Sequence, residues 1–297
     1  DGIFYLATSK QGGEQSRFFQ TYKLRGRNSQ MEPFPFTISS KGIRILSPRL
    51  TLRRQVTNLE REEQLLETGV PGLNTLLKGG IPLGRSIILS GVSGTGKTTF
   101  SLQFLIAGAS QNQKGLLFSF EETPDRLYRT AASFGWDLEN LVREGILRII
   151  FVPQTDIRLE EQLENIVEAV ETFQPQRFVL DSLSVFLYKV ADSATQREKT
   201  FQLATMVQRV GAVGLLISDI PADEQYRLSR FGVEETIADG TIVLSTEMIG
   251  KRRDRYLEEF KMRAADYIGG RHRLEITPHG IEILYLGVQE ISLPSLG

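Results

Sequence analysis

The middle of the chain alternates between short, wholly apolar runs and longer stretches with apolar residues at helical spacing. A parallel strand buried on both faces reads as a continuous apolar run, whereas an amphipathic helix repeats its apolar positions every three or four residues. The apolar runs predict five strands, at 86–91, 115–120, 147–152, 177–181 and 213–218. The longer stretches predict helices between them, at 97–111, 124–134, 158–173 and 196–210.

After about residue 239 the pattern changes to shorter segments that are typical of an antiparallel meander. Four further strands are predicted there, near 240–247, 255–263, 272–276 and 281–285. Alternating strands and helices favour a doubly wound parallel sheet. The whole pattern therefore predicts an α/β fold, with a mainly parallel central sheet flanked by helices and a C-terminal antiparallel β-meander.

The first 46 residues resemble residues 239–284 without a gap, at a constant offset of 238 (239 − 1 = 238). Thirteen of the 46 aligned pairs are identical, against roughly three expected from ordinary residue usage. A spacing of this size is that of a domain and is too long for a solenoid repeat. The repeat predicts a tandem duplication: residues 1–49 as the end of a preceding domain plus a linker, 50–290 as a complete domain, and 291–297 as a short tail.

An octapeptide in the second copy, Gly91–Thr98 (GVSGTGKT), fits the phosphate-loop pattern G-x4-G-K-[ST] in full. It lies between a predicted strand and a predicted helix, the context in which this motif is informative. Its glycines let the backbone aim N–H groups at phosphate oxygens, Lys97 would reach the β/γ-phosphates, and the Thr98 hydroxyl would take one coordination site on Mg²⁺. The motif predicts a nucleoside-triphosphate site formed by Gly91, Ser93, Gly94, Thr95, Gly96, Lys97, Thr98 and Thr99.

Acidic residues follow two of the predicted parallel strands, where ligands of such sheets collect. Asp181 ends the run 177–181, as a metal-linked acid of the Walker B type would, although an Asp in this place can also form a turn. Glu121 and Glu122 end the strand 115–120, and one of them would activate the attacking water while the other orients it. A solvated acidic pair at a helix start is the alternative. Thr98, Glu121 and Asp181 are the predicted metal ligands.

Composition narrows the chemistry further. The formal net charge is −1, so the charge balance does not require nucleic acid or an acidic membrane as a partner. The sequence has no cysteine and only two histidines, which excludes thiol catalysis and argues against a zinc site. Neither an apolar stretch of the ~18–20 residues that span a bilayer nor a signal peptide is visible. These features predict a cytoplasmic location without a membrane partner.

Several further motifs accompany the phosphate loop, and together they resemble a KaiC-type domain of the RecA-like P-loop ATPases, a family named for its circadian-clock member. The resemblance covers nearly all of residues 60–285. The motifs are Leu66–Gly72 (LETGVPG), Gly79–Arg85 (GGIPLGR), Phe120–Pro124 (FEETP), Ser133–Asp137 (SFGWD), Leu180–Ser184 (LDSLS), Arg230–Glu235 (RFGVEE) and Phe260–Arg263 (FKMR).

The resemblance implies an assembly and further site residues. Domains of this family form hexameric rings with ATP bound between neighbours. The residues that would then contact the nucleotide of the adjacent subunit are Lys261, Met262 and Arg263. Lys261 and Arg263 would act on its γ-phosphate and share the catalytic role with Lys97 of that subunit. Ser133 and Phe134 would lie near the adenine, although a ring that packs the helix is the alternative for Phe134.

Slow hydrolysis of Mg²⁺-ATP in circadian or other signalling is the function that this resemblance favours. The alternative is a serine/threonine autokinase that uses the same site with Thr236 as acceptor. At the neighbouring position Glu235 stands where the clock protein has a phosphorylated serine, which argues against a two-site cycle. A RecA-like DNA-repair motor is less favoured, since loops 185–197 and 219–230 contain few cations. A non-catalytic ATP-dependent scaffold stays open, and nothing in the short polar tail indicates docking of other clock proteins.

Overall fold

The computed structural model describes residues 1–11, 14–26, 33–39, 42–45, 64–190, 192–263 and 266–284. Residues 46–63 and 285–297, which include the end of the segment predicted as remnant and linker (1–49) and the predicted tail (291–297), lie outside the described residues. Four N-terminal strands are β1 (Gly2–Gln11), β2 (Glu14–Leu24), β3 (Phe34–Ser39) and β4 (Gly42–Ile45). They form an antiparallel sheet in chain order.

Eleven more strands are described between residues 64 and 284. They are β5 (Leu65–Leu66), β6 (Ile81–Pro82), β7 (Ser86–Gly91), β8 (Gly115–Ser119), β9 (Leu147–Phe151), β10 (Arg177–Asp181), β11 (Val213–Asp219), β12 (Gly240–Ile249), β13 (Arg252–Met262), β14 (Gly270–Thr277) and β15 (Gly280–Leu284). β5 and β6 pair with each other, and the remaining nine form one sheet in the order β15-β14-β13-β12-β7-β11-β10-β8-β9. The six strands from β12 to β9 are parallel, and β13, β14 and β15 extend the sheet antiparallel.

Eight α-helices connect these strands in the described part of the chain. They are α1 (Leu73–Leu76), α2 (Lys97–Ala109), α3 (Pro124–Ala132), α4 (Leu138–Arg143), α5 (Leu159–Phe173), α6 (Leu183–Leu187), α7 (Ser193–Val210) and α8 (Glu234–Ile237). Single 3-10 turns lie at Gln154–Asp156 and Ala222–Glu224. None of the helices described is long and apolar enough to cross a membrane.

The predicted α/β architecture with its terminal meander is confirmed. The five parallel strands lie within one residue of their predicted bounds, because a continuous apolar run marks a strand that is buried on both faces. Helix α7 begins at Ser193 and not at 196, since Asp192 caps it by accepting a hydrogen bond from the Thr195 amide. The sequence did not predict α4 and α6, which are too short to establish a period.

Two hydrophobic clusters cover the two faces of the large sheet. In β7, Ile87 and Leu89 belong to one cluster and Ile88 to the other, as expected when successive side chains of a strand point to opposite faces. The first cluster includes apolar residues of α2, and the second includes those of α5, α6 and α7. The helices that follow the phosphate loop and the acidic strand ends are therefore held by the core.

A buried arginine fixes the helix behind the phosphate loop. The fully buried guanidinium of Arg177 in β10 donates to the carbonyl oxygens of Phe104 (2.7 Å) and Glu67 (2.8 Å) and to the Gln113 side chain (2.9 Å). Burial lowers the pKa of Arg177 to about 10. A Cβ at Gly108 would come within 2.4 Å of the Arg177 Nε atom, so the helix needs glycine at this close approach.

The N-terminal sheet repeats the architecture of the C-terminal meander at the same offset as the sequence. Gly2 pairs with Leu24, as Gly240 pairs with Met262. An irregularity follows Ile3 in β1, and the matching irregularity follows Thr241 in β12. The two segments therefore share strand order and register as well as residues.

Candidate nucleotide-binding site

The predicted phosphate loop connects β7 to α2, between Gly91 and Lys97. Gly94 and Gly96 have φ angles of 82° and 107°, in the region that favours glycine. A Cβ at Gly91 would lie 2.4 Å from the Leu244 carbonyl oxygen, so this position also excludes a side chain. The Thr95 hydroxyl donates to the Val92 carbonyl at 2.9 Å. Local contacts thus hold the tight turn, beside the exposed Ser93 and the start of α2 at Lys97, Thr98 and Thr99.

Lys97 is buried inside this turn. Its ammonium donates to the carbonyl oxygens of Gly91 (2.8 Å) and Val92 (3.1 Å). It also forms an ion pair with Asp219, whose Oδ1 lies 2.9 Å from Nζ. Lys97, which is predicted to bind the phosphates, therefore lies at the loop. The carboxylate of Asp219, from a neighbouring strand, balances its charge.

The carboxyl ends of β8 and β10 bring the predicted acids beside the loop. Asp181 pairs with Ser119, and Gly91 pairs with Asp219, so these strands end at one edge of the sheet. The Ser119 hydroxyl accepts from the Glu122 amide at 3.1 Å and holds the turn that follows β8. The acids thus collect where ligands of a parallel sheet bind.

The two adjacent glutamates point to different partners. Glu122 Oε1 accepts a hydrogen bond from the Thr98 hydroxyl at 3.4 Å, while Glu121 Oε1 accepts from the Ser182 hydroxyl at 2.5 Å. Although Glu121 is exposed as a residue, its carboxylate is partly desolvated. Burial and the negative charge of Asp219 raise the pKa of Glu121 to about 7. Glu122 is thus the glutamate that touches the predicted metal ligand Thr98.

Asp181 is almost fully buried at the end of β10. Burial, followed by the charges of Glu121 and Asp219, raises the pKa of Asp181 to about 8. Hydroxyl and carboxylate oxygens of this kind suit a hard cation such as Mg²⁺. Among the described residues no group of three acidic or histidine side chains forms a complete metal cage. Mg²⁺ does not require one, because phosphate oxygens and water usually supply part of its coordination shell.

Asp219, the last residue of β11, belongs to this site although the sequence analysis did not select it. The predicted strand ended one residue earlier, at 218. The rule that selected Asp181 and Glu121, an acid at the carboxyl end of a parallel strand, would have found it. Together with Glu121, Ser184 and Arg230, Asp219 also lines a cavity of about 390 Å³.

The structure separates Lys261, Met262 and Arg263 from the phosphate loop of the same chain. Met262 pairs with Gly240, which pairs with Ile87 of β7. Ile87 is four residues before the loop, or roughly 13 Å along the strand at ~3.3 Å per residue. The Lys261 ammonium donates to the carbonyl oxygens of Glu235 (3.0 Å) and Ala238 (2.7 Å).

The remaining predicted residues lie outside this cluster of acids. Ser133 follows α3, and its hydroxyl donates to the Thr130 carbonyl at 2.7 Å. The Phe134 ring stacks on Trp136 with centroids 4.8 Å apart. The Thr236 hydroxyl donates to the Val233 carbonyl at 2.7 Å and accepts from Arg197 at 2.8 Å. The adenine and acceptor roles of these residues stay predictions.

One cation near the loop escaped the sequence analysis. Arg255 of β13 donates through Nε to the Gly94 carbonyl at 3.4 Å. Nothing in the local pattern distinguishes it from the other charged residues of that strand. Only the order of strands in the sheet, which places the meander beside β7, brings it to the loop.

Fold and site together define a P-loop nucleotide-binding domain of the RecA-like α/β class. The sequence profile of the KaiC ATPases matches residues 66–287. The chain belongs to this family. It is 34% identical over 236 residues to the circadian clock oscillator protein KaiC of Synechococcus elongatus, covering 76% of this chain and 45% of that protein. It is 33% identical over 242 residues to the circadian clock protein KaiC3 of Synechocystis sp., covering 77% and 47%.

The structural comparison leads to the same family. A KaiC-like protein from the hyperthermophilic archaeon Pyrococcus horikoshii OT3 superposes with a TM-score of 0.67 at 32% identity, over 75% of this chain and 99% of that one. In contrast, the chain spans less than half the length of the KaiC proteins from Synechococcus and Synechocystis. The chain shares about three quarters of its length with each of the three proteins.

Proposed function

We propose that this chain binds Mg²⁺-ATP and hydrolyses it slowly. One observation carries the proposal. The glycine-rich loop and its Lys97 lie beside carboxylates that follow three neighbouring strands, namely Glu121, Asp181 and Asp219. Catalysis of phosphoryl transfer consists mainly of positioning and of electrostatic stabilisation. This arrangement supplies groups for both, and membership of the KaiC ATPase family supports the same activity.

Each residue of the site has a separate proposed task. The loop amides from Gly91 to Thr98 would bind the phosphates, with Lys97 at the β/γ-phosphates. Thr98 and Asp181 would hold Mg²⁺, with one of the two glutamates near it. When bound, the ion neutralises charge on the phosphate oxygens. Glu122 touches Thr98 while Glu121 faces the cavity, so we assign water activation to Glu121 and orientation to Glu122.

A ring with nucleotides between subunits accounts for the position of the Lys261–Arg263 stretch. These residues lie towards the opposite edge of the sheet from their own phosphate loop, so in the described conformation they are remote from that site. We propose that Lys261 and Arg263 act on the γ-phosphate of a neighbouring subunit in a homo-hexamer, with Met262 beside them. Hydrolysis would then depend on assembly.

Autophosphorylation of Thr236 remains the second candidate. The Thr236 hydroxyl forms hydrogen bonds with both Val233 and Arg197. To accept a phosphoryl group, it would have to break these hydrogen bonds and approach the γ-phosphate of ATP. Glu235 at the neighbouring position already carries a negative charge. We therefore rank hydrolysis above the kinase, and both above a DNA-repair motor. Cytoplasmic location stays a prediction of the sequence.

We also propose that residues 1–49 are the terminal sheet and linker of a preceding domain of the same fold, and that residues 50–290 are a complete domain. The matching register of the two meanders supports this. In the C-terminal copy, β12 pairs on one side with β13 and on the other with β7. Its counterpart β1 pairs only with β2 among the described strands. A preceding domain would supply the missing neighbour.

The proposed activity is tested with γ-labelled ATP and Mg²⁺ on the purified chain, following released phosphate and label retained on the protein. The catalytic variant is Glu121→Gln/Glu122→Gln, and its charge-matched control is Glu139→Gln on α4 together with Glu144→Gln directly after it. Phosphate release that survives in the control and is lost in the catalytic variant is the expected result. Retained label that disappears in Thr236→Ala would place the kinase first. Neither signal, with ATP still bound, would indicate a scaffold.

A further inference from the structure

We propose that Asp219 is a positioning residue of this site: its carboxylate holds Lys97 inside the phosphate loop and competes with the nucleotide for the lysine. This inference rests on the proposed ATP site and adds to it a residue that controls affinity. The consequence is that tight binding of ATP requires a divalent cation to offset Asp219.

The contacts of Lys97 are the first reason. A lysine ammonium has three N–H donors, and the three acceptors around Lys97 are the Gly91 carbonyl, the Val92 carbonyl and the Asp219 carboxylate, at 2.8, 3.1 and 2.9 Å. To contact a phosphate, the ammonium must exchange at least one of these. Of these three contacts, only the one with Asp219 joins opposite charges. A phosphate oxygen is also negatively charged, so it can take the place of the Asp219 carboxylate.

The backbone holds Asp219 firmly in this position. It pairs with Gly91 in the ladder between β11 and β7, and its amide donates to the Ser184 hydroxyl at 2.6 Å. The strand end therefore stays beside the loop, at a position from which the carboxylate reaches Lys97.

The surrounding charges supply the cation dependence. Asp219 ends β11 beside β10, which ends in Asp181, and it lines the same cavity as Glu121. Once Lys97 contacts a phosphate, the carboxylate of Asp219 loses its ion pair and faces an anionic ligand. Carboxylate and phosphate charges repel strongly in a partly desolvated site. A divalent cation would relieve this repulsion, whereas ATP without a cation would meet it in full.

The test is calorimetric titration of the chain with ATP at pH 7.5, once with EDTA and once with MgCl2. Asp219→Asn keeps the shape of the side chain and removes its charge. We expect this variant to bind ATP in EDTA about tenfold more tightly than the parent, equivalent to about 1.4 kcal/mol. With Mg²⁺ the two should differ by less than about threefold, because the cation already offsets the carboxylate.

Two variants separate this effect from general changes in charge or folding. Asp223→Asn removes a carboxylate from the exposed turn after β11 and should bind as the parent does in both buffers. Asp219→Ser is a second neutral variant, and thermal unfolding identifies the one to use if the other does not fold. A variant that merely loosened the structure would bind ATP more weakly in both buffers.

The outcomes distinguish this inference from the proposed function. If the parent binds ATP, Lys97→Ala abolishes binding, and folded Asp219→Asn binds equally or more weakly in EDTA, then the role of Asp219 is wrong while the ATP site stands. If the parent binds no ATP in either buffer, both proposals are wrong. The inference is supported if Asp219→Asn binds ATP more tightly than the parent in EDTA but not in MgCl2.

Discussion

Glu259 of β13 is a buried acid outside the candidate site, with only 3% of the residue exposed. Burial, and then the charge of Glu258, raises the pKa of Glu259 to about 7 from its ordinary 4.5. His272 Nε2 lies 3.9 Å from its Oε2 atom. The corresponding residue of the N-terminal repeat is Thr21, which carries no charge. The fold therefore favours a neutral side chain at this position.

We expect Glu259→Gln to stabilise the protein at alkaline pH. A carboxyl whose pKa is raised on folding binds its proton more tightly in the native state, so its contribution is present below pH 4.5 and is lost as the pH rises through 7. The loss is on the order of 3 kcal/mol, since each pKa unit corresponds to about 1.36 kcal/mol. Glutamine stays neutral, so the variant should have a larger free energy of unfolding than the parent at pH 8 but not at pH 4.5.

Urea unfolding of parent and variant at the two pH values measures the difference. Glu139→Gln, which removes an exposed carboxylate from α4, is the matched control, and its effect on stability should change little with pH. Equal stability differences at pH 4.5 and pH 8 would mean that Glu259 ionises normally in the folded protein.

At the scale of elements, the sheet β1–β4 differs from its C-terminal copy in what covers it. Phe4 and Leu6 are 53% and 51% exposed, while their counterparts Ile242 and Leu244 are 0% and 1% exposed. An exposed strand edge with apolar side chains favours pairing with other chains. The corresponding apolar side chains are thus buried in the C-terminal copy and exposed to solvent in the N-terminal copy.

Deleting residues 1–49 should therefore lower concentration-dependent self-association and leave ATP affinity within about twofold of the parent, as expected of separate domains. Sedimentation velocity over a concentration series and calorimetric titration measure the two effects. In the full chain, Phe4→Lys/Leu6→Lys should lower the association in the same way. Loss of ATP binding on deletion would mean that the ATPase unit needs these residues and that the proposed domain boundary is wrong.

At the scale of the whole molecule, the distance between Lys261 and its own phosphate loop allows a complementation experiment. Lys97→Ala lacks a working loop, and Lys261→Ala/Arg263→Ala lacks the proposed cations for a neighbour. Each should be inactive alone. An equal mixture should recover about a quarter of the parent activity, because half of the loops are intact and half of their neighbours supply the cations in a head-to-tail ring.

The control for this experiment replaces cations at the turn between β12 and β13. Lys251→Ala/Arg253→Ala removes two exposed charges, one from that turn and one from the start of β13, and should keep the parent activity without a partner. A mixture as inactive as its components, in samples whose sedimentation demonstrates mixed rings, would contradict action between subunits.

The nine strands of the large sheet, the phosphate loop, the repeat and the family follow from the sequence alone. Each of these is encoded locally: a buried strand needs a continuous apolar run, and the loop needs glycines and a lysine at set spacing. The two parallel strand ends that carry Glu121 and Asp181 could be placed on one edge, since all parallel strands end there. These features did not depend on knowing which strands are neighbours.

Only the tertiary structure decided which distant residues meet. The ion pair between Lys97 and Asp219, the burial of Arg177 behind the loop, and the contact of Arg255 with Gly94 all depend on strand order and on side-chain direction. The same order separates Lys261 and Arg263 from the loop of their own chain. Periodicity specifies how each segment folds, whereas the pairing of segments depends on packing across the whole sheet, which no local pattern records.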